Sequence, residues 1–316
     1  MNKYIALCGG VGGAKLALGL DHVLRSEELN IVVNTADDFQ HLGFYISPDI
    51  DTLLYTLSDL NNKEQGWGRE DESWNFMAAC ETLGIESWFQ LGDRDLATHV
   101  FRTQGYKQGL TLSEITKLIS QQLKIKSKII PMSDDSVKTI VNTDIGKLSF
   151  QEYFVKHACS PEVSEIKFKD IGKAKASIEF DSLLNEENLN AIIICPSNPF
   201  LSIDPILSLH DIRQRLKDCS APVIVVSPIV NGQAMKGPTV KIMQEFNMTC
   251  DVVTIAKFYA DIADGMIIDT MDAEYIEDIE TIGIKTYTGN IIMNSLQDKI
   301  SLAESVIQFS KTLSTK

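Results

Sequence analysis

Short apolar runs alternate along this chain with segments of helical spacing. The runs that predict buried strands are residues 3–8, 29–34, 128–131, 191–195, 222–226, 251–256, 265–269 and 284–286. Apolar residues recur at intervals of three and four in residues 14–25 and again in 302–313, as in helices that cover a sheet. This alternation predicts an α/β fold with a Rossmann-like, mostly parallel sheet flanked by helices.

One stretch interrupts this alternation. Residues 138–143 and 147–155 flank Gly146 and predict a β-hairpin. We therefore expect a single domain over 1–316, with a core at about 1–135 and 190–316 and a hairpin-containing insertion at about 136–189. Further helices are predicted in 51–57, 70–83, 95–103 and 111–124, and the last of these begins with the capping-box pattern of Thr111 and Glu114.

The most acidic stretch, residues 34–51, follows a predicted strand and is expected to be largely loop. Its four carboxylates are Asp37, Asp38, Asp49 and Asp51. Ligands bind beyond the carboxyl ends of the strands in such sheets, so these acids are expected beside a substrate. Asp37 and Asp51 come from the two ends of the stretch and can converge on Mg²⁺, which prefers carboxylate oxygens. The alternative for Asp38 or Asp49 is the capping of local turns or helices.

A glycine segment links the first strand to the first helix. Lys15 follows Gly10, Gly12 and Gly13. It does not stand between a Gly and a Ser or Thr, as the lysine of a Walker A loop does. In a dinucleotide-binding G-x-G-x-x-G pattern that starts at Gly10, Lys15 occupies the place of the third glycine. Two interpretations remain. The glycines form a tight structural turn, or their backbone and Lys15 contact a ligand phosphate. The broken fingerprint argues against an NAD-dependent oxidoreductase.

Three other groups have both a structural and a functional interpretation. Ser197 and Asn198 form an Asx-type turn before Pro199 or contact a base or ribose. Arg94 makes an ion pair inside a helix cap or clamps a phosphate. The tryptophans pack in the core or form the wall of a site for a flat heteroaromatic ligand; they are Trp67, Trp74 and Trp88.

Charge and composition limit the classes of molecule that this protein is expected to bind. The 316 residues carry a formal net charge of -14, which is a poor match for nucleic acid or for an anionic membrane surface. No apolar run reaches the roughly 18 residues of a membrane span, and no signal-peptide pattern is present. None of the six cysteines forms a C-x-x-C pair. These features favour a reduced, cytoplasmic protein without nucleic-acid or membrane partners.

The motifs together resemble the 2-phospho-L-lactate transferase (CofD/FbiA) family of coenzyme F420 biosynthesis, in its bacterial form. The matching strings are GGVGGAK at 9–15, NTADD at 34–38, SPDIDT at 47–52, GWG at 66–68, WFQLGDRDLATH at 88–99, PMSDD at 131–135, FQEYF at 150–154, PSNP at 196–199 and SPI at 227–229. Nine strings in one order along most of the chain are far more specific than any single motif.

The resemblance implies a Mg²⁺-dependent transferase. Such enzymes move a phospho-three-carbon acid from a guanosine diphosphate conjugate of lactate, enolpyruvate or glycerate. The acceptor is the terminal ribityl hydroxyl of the deazaflavin Fo (7,8-didemethyl-8-hydroxy-5-deazariboflavin), and GMP leaves. The resemblance also implies a homodimer. The alternative is a nucleotide-sugar-binding regulator of the same fold, which is not expected to carry both the GDRDLATH and the PMSDD strings.

The resemblance also implies roles for individual residues. Asp37 and Asp51 would be catalytic and would hold the Mg²⁺. The predicted contacts to the donor phosphates and nucleotide are Gly10, Gly12, Gly13, Lys15, Ser197 and Asn198. The predicted contacts to Fo are Asp51, Trp67, Asp93 and Arg94.

Overall fold

A computed structural model describes residues 2–234 and 237–313. Along the chain its strands are β1 (Lys3–Cys8), β2 (Leu29–Val33), β3 (Phe39–His41), β4 (Phe44–Ile46), β5 (Lys128–Pro131), β6 (Lys138–Thr143), β7 (Gly146–Ser149), β8 (Val163–Lys169), β9 (Leu189–Ile194), β10 (Val223–Val226), β11 (Ile229–Val230), β12 (Gln233–Ala234), β13 (Gly265–Asp269) and β14 (Lys285–Gly289). Seven of them form a central sheet in the order β14-β13-β10-β9-β1-β2-β5. Every pairing in this sheet is parallel, which confirms the predicted fold.

Helices cover both faces of the sheet. They are α1 (Gly10–Val23), α2 (Pro48–Leu57), α3 (Asn75–Thr82), α4 (Asp93–Lys107), α5 (Leu112–Gln122), α6 (Ile178–Leu183), α7 (Asp204–Leu207), α8 (Ile212–Asp218), α9 (Thr239–Glu245), α10 (Val252–Phe258), α11 (Ile276–Thr281) and α12 (Leu296–Ser310). Helices α1, α2, α5 and α12 share one buried core, and α6 to α11 contribute to the core on the opposite face. Strands buried on both faces explain the unbroken apolar runs in the sequence. Within the described residues, no helix is long and apolar enough to cross a membrane.

The predicted insertion falls in the segment between β5 and β9. Strands β6, β7 and β8 form a separate antiparallel sheet there, in the order β7-β6-β8. The hairpin prediction is confirmed, but its second strand ends at Ser149 and not at 155. The Ser149 backbone N–H and hydroxyl both donate to Glu152, at 2.9 and 2.7 Å, and a π-helical turn follows over Glu152–Lys156.

The strand predicted at 251–256 is wrong, since this segment is helix α10. Asp251 caps that helix by accepting the Thr254 N–H at 2.7 Å. Val252, Ile255 and Ala256 are buried on one side of it. An N-cap and apolar spacing of three and four outweigh the strand preference of the β-branched residues.

Several helix limits also differ from the predictions. The helix predicted from residue 70 begins at Asn75, and α12 begins six residues before the predicted start at 302. A capping box of Ser295 and Asp298 starts α12. The predicted capping box of Thr111 and Glu114 is confirmed.

Two corrections bear on the site. Helix α1 begins at Gly10, so most of the glycine segment is the first turn of a helix rather than a loop before it. Helix α2 begins at Pro48 instead of at the predicted residue 51, so Asp49 lies in its first turn together with Asp51 and not in a loop.

Candidate active site

A cleft of about 650 Å³ lies at the carboxyl ends of the central strands. Residues within four positions of the ends of β1, β2, β9 and β10 line it, and they include Gly9, Asp37, Ser197 and Pro228. This volume is within the range of small-molecule sites, and the position is where open α/β sheets bind ligands.

The glycine segment packs against the loop that follows β9. A Cβ at Gly12 would lie 2.3 Å from the Pro196 carbonyl oxygen, and one at Gly13 would lie 2.4 Å from Ser197 Oγ. Gly10 has a φ of +63°, which disfavours other residues. Close packing therefore accounts for Gly12 and Gly13, and the left-handed backbone accounts for Gly10, which supports the structural interpretation from the sequence.

The first turn of α1 also presents N–H groups to the cleft. Gly9 donates to Ser197 Oγ at 3.1 Å, and Gly10 donates to Asp49 Oδ1 at 2.8 Å. Helix geometry leaves the N–H groups of Val11 and Gly12 without an acceptor inside the helix, and both residues line the cleft. Lys15 lines it too, with its ammonium 3.0 Å from the Met293 carbonyl oxygen. A helix N-terminus with a nearby lysine is suited to bind an anion.

Two carboxylates meet at the floor of the cleft. The Asn34 side-chain amide donates to Asp37 at 2.9 Å and to Asp49 at 3.0 Å. Burial, and then the charge of Asp49, raise the pKa of Asp37. Burial raises the pKa of Asp49 to about 6. Holding two carboxylates together in a buried position is unfavourable, and a bound cation would offset that cost.

The donor set at this point suits a divalent cation such as Mg²⁺. Asp37 Oδ1 is buried and has no hydrogen-bond partner among the described residues, and the Thr139 hydroxyl lies near this carboxylate. Asp49 uses one lone pair on each oxygen, for Gly10 and Asn34, and a carboxylate has about four. Both residues line the cleft. Mg²⁺ is commonly held by one or two carboxylates together with substrate phosphates.

Asp51 is placed differently, since its carboxylate faces Arg102 of α4. Arg102 Nη1 donates to Asp51 Oδ2 at 3.1 Å, and Nη2 contacts Oδ1. The Arg102 side chain is completely buried, and Asp51 is not among the residues that line the cleft. The structure therefore brings Asp37 together with Asp49 and not with Asp51.

A second group with metal-ligand chemistry includes Asp51. One potential ligand atom from each of Asp51, Asp95 and His99 lies within 4.8 Å of the others. His99 stands between the two acids, with Nδ1 3.6 Å from Asp51 and Nε2 3.3 Å from Asp95. The Arg102 guanidinium already supplies a positive charge to Asp51, so the charge of that carboxylate is compensated from within the protein.

Asp93 and Arg94 act on local structure. Asp93 caps α3 by accepting the Asn75 and Phe76 N–H groups at 3.1 and 3.0 Å, together with the Ser73 hydroxyl. Hydrogen bonds, first from Ser73, lower the pKa of Asp93 to about 2. Arg94 is exposed, lies 3.9 Å from Asp71 and donates to the Glu70 carbonyl oxygen. Neither residue lines the cleft.

Trp67 separates the cleft from a smaller, polar pocket of about 250 Å³. It is 51% exposed and borders both. Trp74 borders only the small pocket, and Trp88 packs edge-on against His41 with ring centroids 5.4 Å apart. Of the three predicted tryptophans, Trp67 therefore has the position of a cleft wall.

Ser197 and Asn198 both line the cleft. The Asn198 side-chain oxygen accepts the N–H groups of Phe200 and Leu201 at 2.9 and 3.1 Å, which is the Asx-type turn considered from the sequence. Its amide nitrogen, Nδ2, is buried and has no hydrogen-bond partner among the described residues. An unpaired buried donor at a cleft is free to bind a ligand acceptor.

Sequence reasoning missed one wall of the cleft. Phe150 and Phe154 stack on each other with centroids 5.2 Å apart and planes at 17°, and both line the cleft together with Phe89. The helical turn brings Phe150 and Phe154 close enough to stack, whereas a strand would place them on one face but roughly 13 Å apart. The FQEYF string contains these residues, but its predicted conformation was wrong.

The fold and the cleft define a Rossmann-like α/β protein in which helix N–H groups, paired carboxylates and aromatic rings face one space. A sequence profile of the family described as 2-phospho-L-lactate transferase CofD matches residues 5–299. The chain belongs to that family, and the resemblance inferred from its motifs is confirmed.

Relatives of full length support this assignment. The chain is 38% identical over 311 residues to the 2-phospho-L-lactate transferase of Methanocaldococcus jannaschii, covering 97% of this chain and 98% of the relative. It is 32% identical over 315 residues to the phosphoenolpyruvate transferase of Streptomyces griseus, covering 98% of each. The chain is a transferase of this family.

Among solved structures, a Bacillus halodurans protein of the UPF0052 family is similar in fold. The TM-score is 0.61 at 16% identity, with 97% of this chain and 99% of that protein covered. At that identity the similarity concerns the fold alone.

Proposed function

We propose that this chain transfers a phosphorylated three-carbon acid from a guanosine diphosphate conjugate to the terminal ribityl hydroxyl of Fo, with release of GMP. The acid is phospholactate, phosphoenolpyruvate or phosphoglycerate, and the relatives are named for the first two. The observation that carries the proposal is the cleft itself. It combines an anion-binding helix end, paired carboxylates and an aromatic wall in one space of about 650 Å³.

The donor is proposed to lie along α1 and the loop after β9. The N–H groups of Val11 and Gly12, with the Lys15 ammonium, would bind its diphosphate. Ser197 and the unpaired amide of Asn198 would bind the guanosine part. These contacts keep Gly12, Lys15, Ser197 and Asn198 from the predicted set and add Val11. The Gly10 N–H donates to Asp49 instead, and donor contacts from Gly10 and Gly13 stay predictions.

Asp37 and Asp49 are proposed to hold Mg²⁺, which when bound would neutralise charge on the donor phosphates. The sequence paired Asp37 with Asp51 instead. The bond between Asp51 and Arg102 favours Asp49, because Asp49 faces the cleft and shares Asn34 with Asp37.

The flat ring of Fo is proposed to lie against the aromatic wall. Trp67, Phe89, Phe150 and Phe154 border the cleft and offer both an exposed indole and a stacked pair. Rings of this kind bind a planar heteroaromatic ligand by stacking. The predicted contacts from Asp51, Asp93 and Arg94 stay predictions, since none of the three lines the cleft.

In the reaction, the ribityl oxygen attacks the phosphorus that bears the acid. The bond from that phosphorus to the oxygen of GMP breaks, and GMP leaves with the electron pair. Asp37 orients the hydroxyl and takes its proton. Phosphoryl transfer depends mainly on positioning and charge neutralisation, which is what this cleft offers.

The test is incubation with Fo, Mg²⁺ and each of the three guanosine diphosphate conjugates, followed by mass spectrometry. We expect a Fo phosphodiester and GMP from at least one donor. Asp49→Asn is expected to lower the rate about 100-fold. Asp261→Asn, which breaks a surface ion pair with Arg213, is the control and should keep the wild-type rate. Binding of Fo and GDP without product from any donor would overturn the proposal.

Titration with Fo separates a transferase from a nucleotide-sugar-binding regulator. A transferase should change Fo fluorescence on binding, whereas a regulator should leave it unchanged. The homodimer and the cytoplasmic location stay predictions, and light scattering of the purified protein would test the first.

A further inference from the structure

Gln151 is a buried amide on the wall of the cleft. Its side chain is only 4% exposed, and it directly precedes the π-helical turn that carries Phe154. Gln65 and Gln90 also line the cleft, but both are exposed to solvent. Buried polar groups are normally hydrogen-bonded, so the oxygen and the nitrogen of the Gln151 amide should each have a partner.

Only the nitrogen of this amide has a partner within the protein. Gln151 Nε2 donates to the Asp37 main-chain oxygen at 3.3 Å. A carbonyl oxygen can only accept, so this contact fixes which end of the amide is the nitrogen. No described residue donates to Gln151 Oε1, and this oxygen keeps some accessible surface. Because Gln151 lines the cleft, it offers an oriented acceptor to a ligand there.

The contact with Asp37 is one of three that hold the acid-bearing segment. The main-chain oxygens at positions 36, 37 and 38 each accept a hydrogen bond from the segment between β5 and β9. The donors are the Thr139 N–H at 2.8 Å, the Gln151 amide and the Lys138 ammonium. The Gln151 amide is therefore oriented before a ligand binds, which lowers the entropy lost on binding.

The neighbours of Gln151 indicate which part of a ligand it meets. On one side is Asp37, the proposed base for the terminal ribityl hydroxyl. On the other side are Phe150 and Phe154, which belong to the proposed wall for the Fo ring. The ribityl chain connects that ring to that hydroxyl, so it would pass Gln151. Hydroxyl groups can donate to Oε1, whereas ionised phosphates and carboxylates only accept.

We propose that Gln151 binds the acceptor directly, with Oε1 accepting a hydrogen bond from a ribityl hydroxyl of Fo. The same amide holds the Asp37 main chain, so it aligns the polyhydroxyl chain with the acid that takes the proton. This inference rests on the proposed function, which supplies Fo as the acceptor and Asp37 as the base. Hydroxyl groups of the guanosine ribose or of a glycerate donor have the same chemistry, and the test separates them.

The test combines Gln151→Met with truncation of the ligand. Methionine has about the length of glutamine and lacks the amide. The ligands are Fo, its N10-methyl analogue, which has the same ring without the ribityl chain, and GDP. Fluorescence titration measures the first two, and calorimetry measures GDP. Asn30→Leu is the control, because Asn30 is a buried amide outside the cleft that also donates to a main-chain oxygen at 3.3 Å.

Gln151→Met should bind Fo about tenfold more weakly than wild type, as the loss of one hydrogen bond predicts. Its affinity for the N10-methyl analogue and for GDP should stay within about twofold of wild type. Mn²⁺ binding in the presence of GDP, followed by electron paramagnetic resonance, should also be unchanged. Asn30→Leu should be less stable than wild type and bind every ligand with wild-type affinity.

Four results would overturn the ribityl contact. Equal Fo affinities of Gln151→Met and wild type would show no contact, and equal losses for Fo and its analogue would place the contact at the ring. Weaker binding of GDP, or slower transfer from the glycerate conjugate alone, would place it on the donor. Weaker Mn²⁺ binding would leave Gln151 as a positioning residue for Asp37.

Two further outcomes have a defined meaning. Should Gln151→Met not fold, Gln151→Asn carries the same amide one methylene shorter, and the same comparisons apply to it. Wild-type protein that does not bind Fo would contradict the proposed function, and this inference with it. Every result that overturns the ribityl contact alone requires wild-type protein that binds Fo, so the two failures are distinguishable.

Discussion

Replacing Gly12 by alanine tests how tightly α1 packs against the loop after β9. The new Cβ would lie 2.3 Å from the Pro196 carbonyl oxygen, whereas ordinary contact begins at 3.4 Å. The helix and the loop must therefore separate by about 1 Å. Overpacking of this kind lowers the free energy of unfolding by about 1–3 kcal/mol. The higher helix propensity of alanine offsets up to about 1 kcal/mol of that loss. We expect a net loss of about 0.5–2 kcal/mol in the free energy of unfolding.

The functional effect should be larger than the loss of stability. Gly12 and its neighbour Val11 carry the N–H groups proposed to bind the donor phosphates. A misplacement of about 1 Å at a reacting centre lowers rate by about 100-fold. We expect a fall of that order in kcat/KM for the donor and an unchanged affinity for Fo.

Urea denaturation and steady-state kinetics measure the two effects. Gly172→Ala is the matched control, because a Cβ there meets nothing within 4 Å and the backbone φ is ordinary. This control should stay within about 0.5 kcal/mol of wild type and keep full activity. Wild-type kinetics in a stable Gly12→Ala protein would refute the proposed donor site at the α1 N-terminus.

Three further predictions concern other parts of the chain. Fluorescence titration should show about tenfold weaker Fo binding for Phe154→Ala. Phe101→Ala, at an exposed position of α4, is the control and should bind Fo as wild type does. Equal Fo affinities of Phe154→Ala and wild type would contradict the aromatic wall. Asp93 has a pKa of about 2 in the folded protein, below its ordinary 3.8, so its charge stabilises the fold above pH 3.8 and this contribution is lost as pH falls through 2. The stability difference between wild type and Asp93→Asn should therefore shrink between pH 5 and pH 2 in urea titrations, and a constant difference would contradict the capping role. Asp251→Ala should cost about 1 kcal/mol in the same assay, because it removes the N-cap of α10; no loss would contradict that cap.

The central sheet could be predicted because each of its strands is marked by a local run of apolar residues. Runs such as Ile192-Ile193-Ile194 are apolar at every position, as parallel strands buried on both faces require. The same reasoning failed at Val252 and Val253, where the capping by Asp251 decides the conformation. The helical turn at Phe150–Phe154 was missed for a related reason, since Ser149 and Glu152 end the strand by a local hydrogen bond.

The arrangement of the acids could not be predicted, because it depends on distant partners. Pro48 starts α2, so Asp49 and Asp51 point in different directions on one helical turn. Which of them faces the cleft is set by Gly10, 39 residues away from Asp49, and by Arg102, 51 residues away from Asp51. No spacing in the sequence marks these contacts. The polar residues at the strand ends were predictable, since their position follows from the sheet alone.

Phosphorus NMR of the complete reaction tests the proposed transfer most directly. Wild-type protein is mixed with Fo, Mg²⁺ and a guanosine diphosphate conjugate of a three-carbon acid. The two diphosphate resonances should be replaced by equal amounts of GMP and of a phosphodiester of Fo, and the reaction should stop when EDTA is added. Release of GMP with free phosphorylated acid, or a diphosphate that persists with every donor, would contradict transfer to Fo.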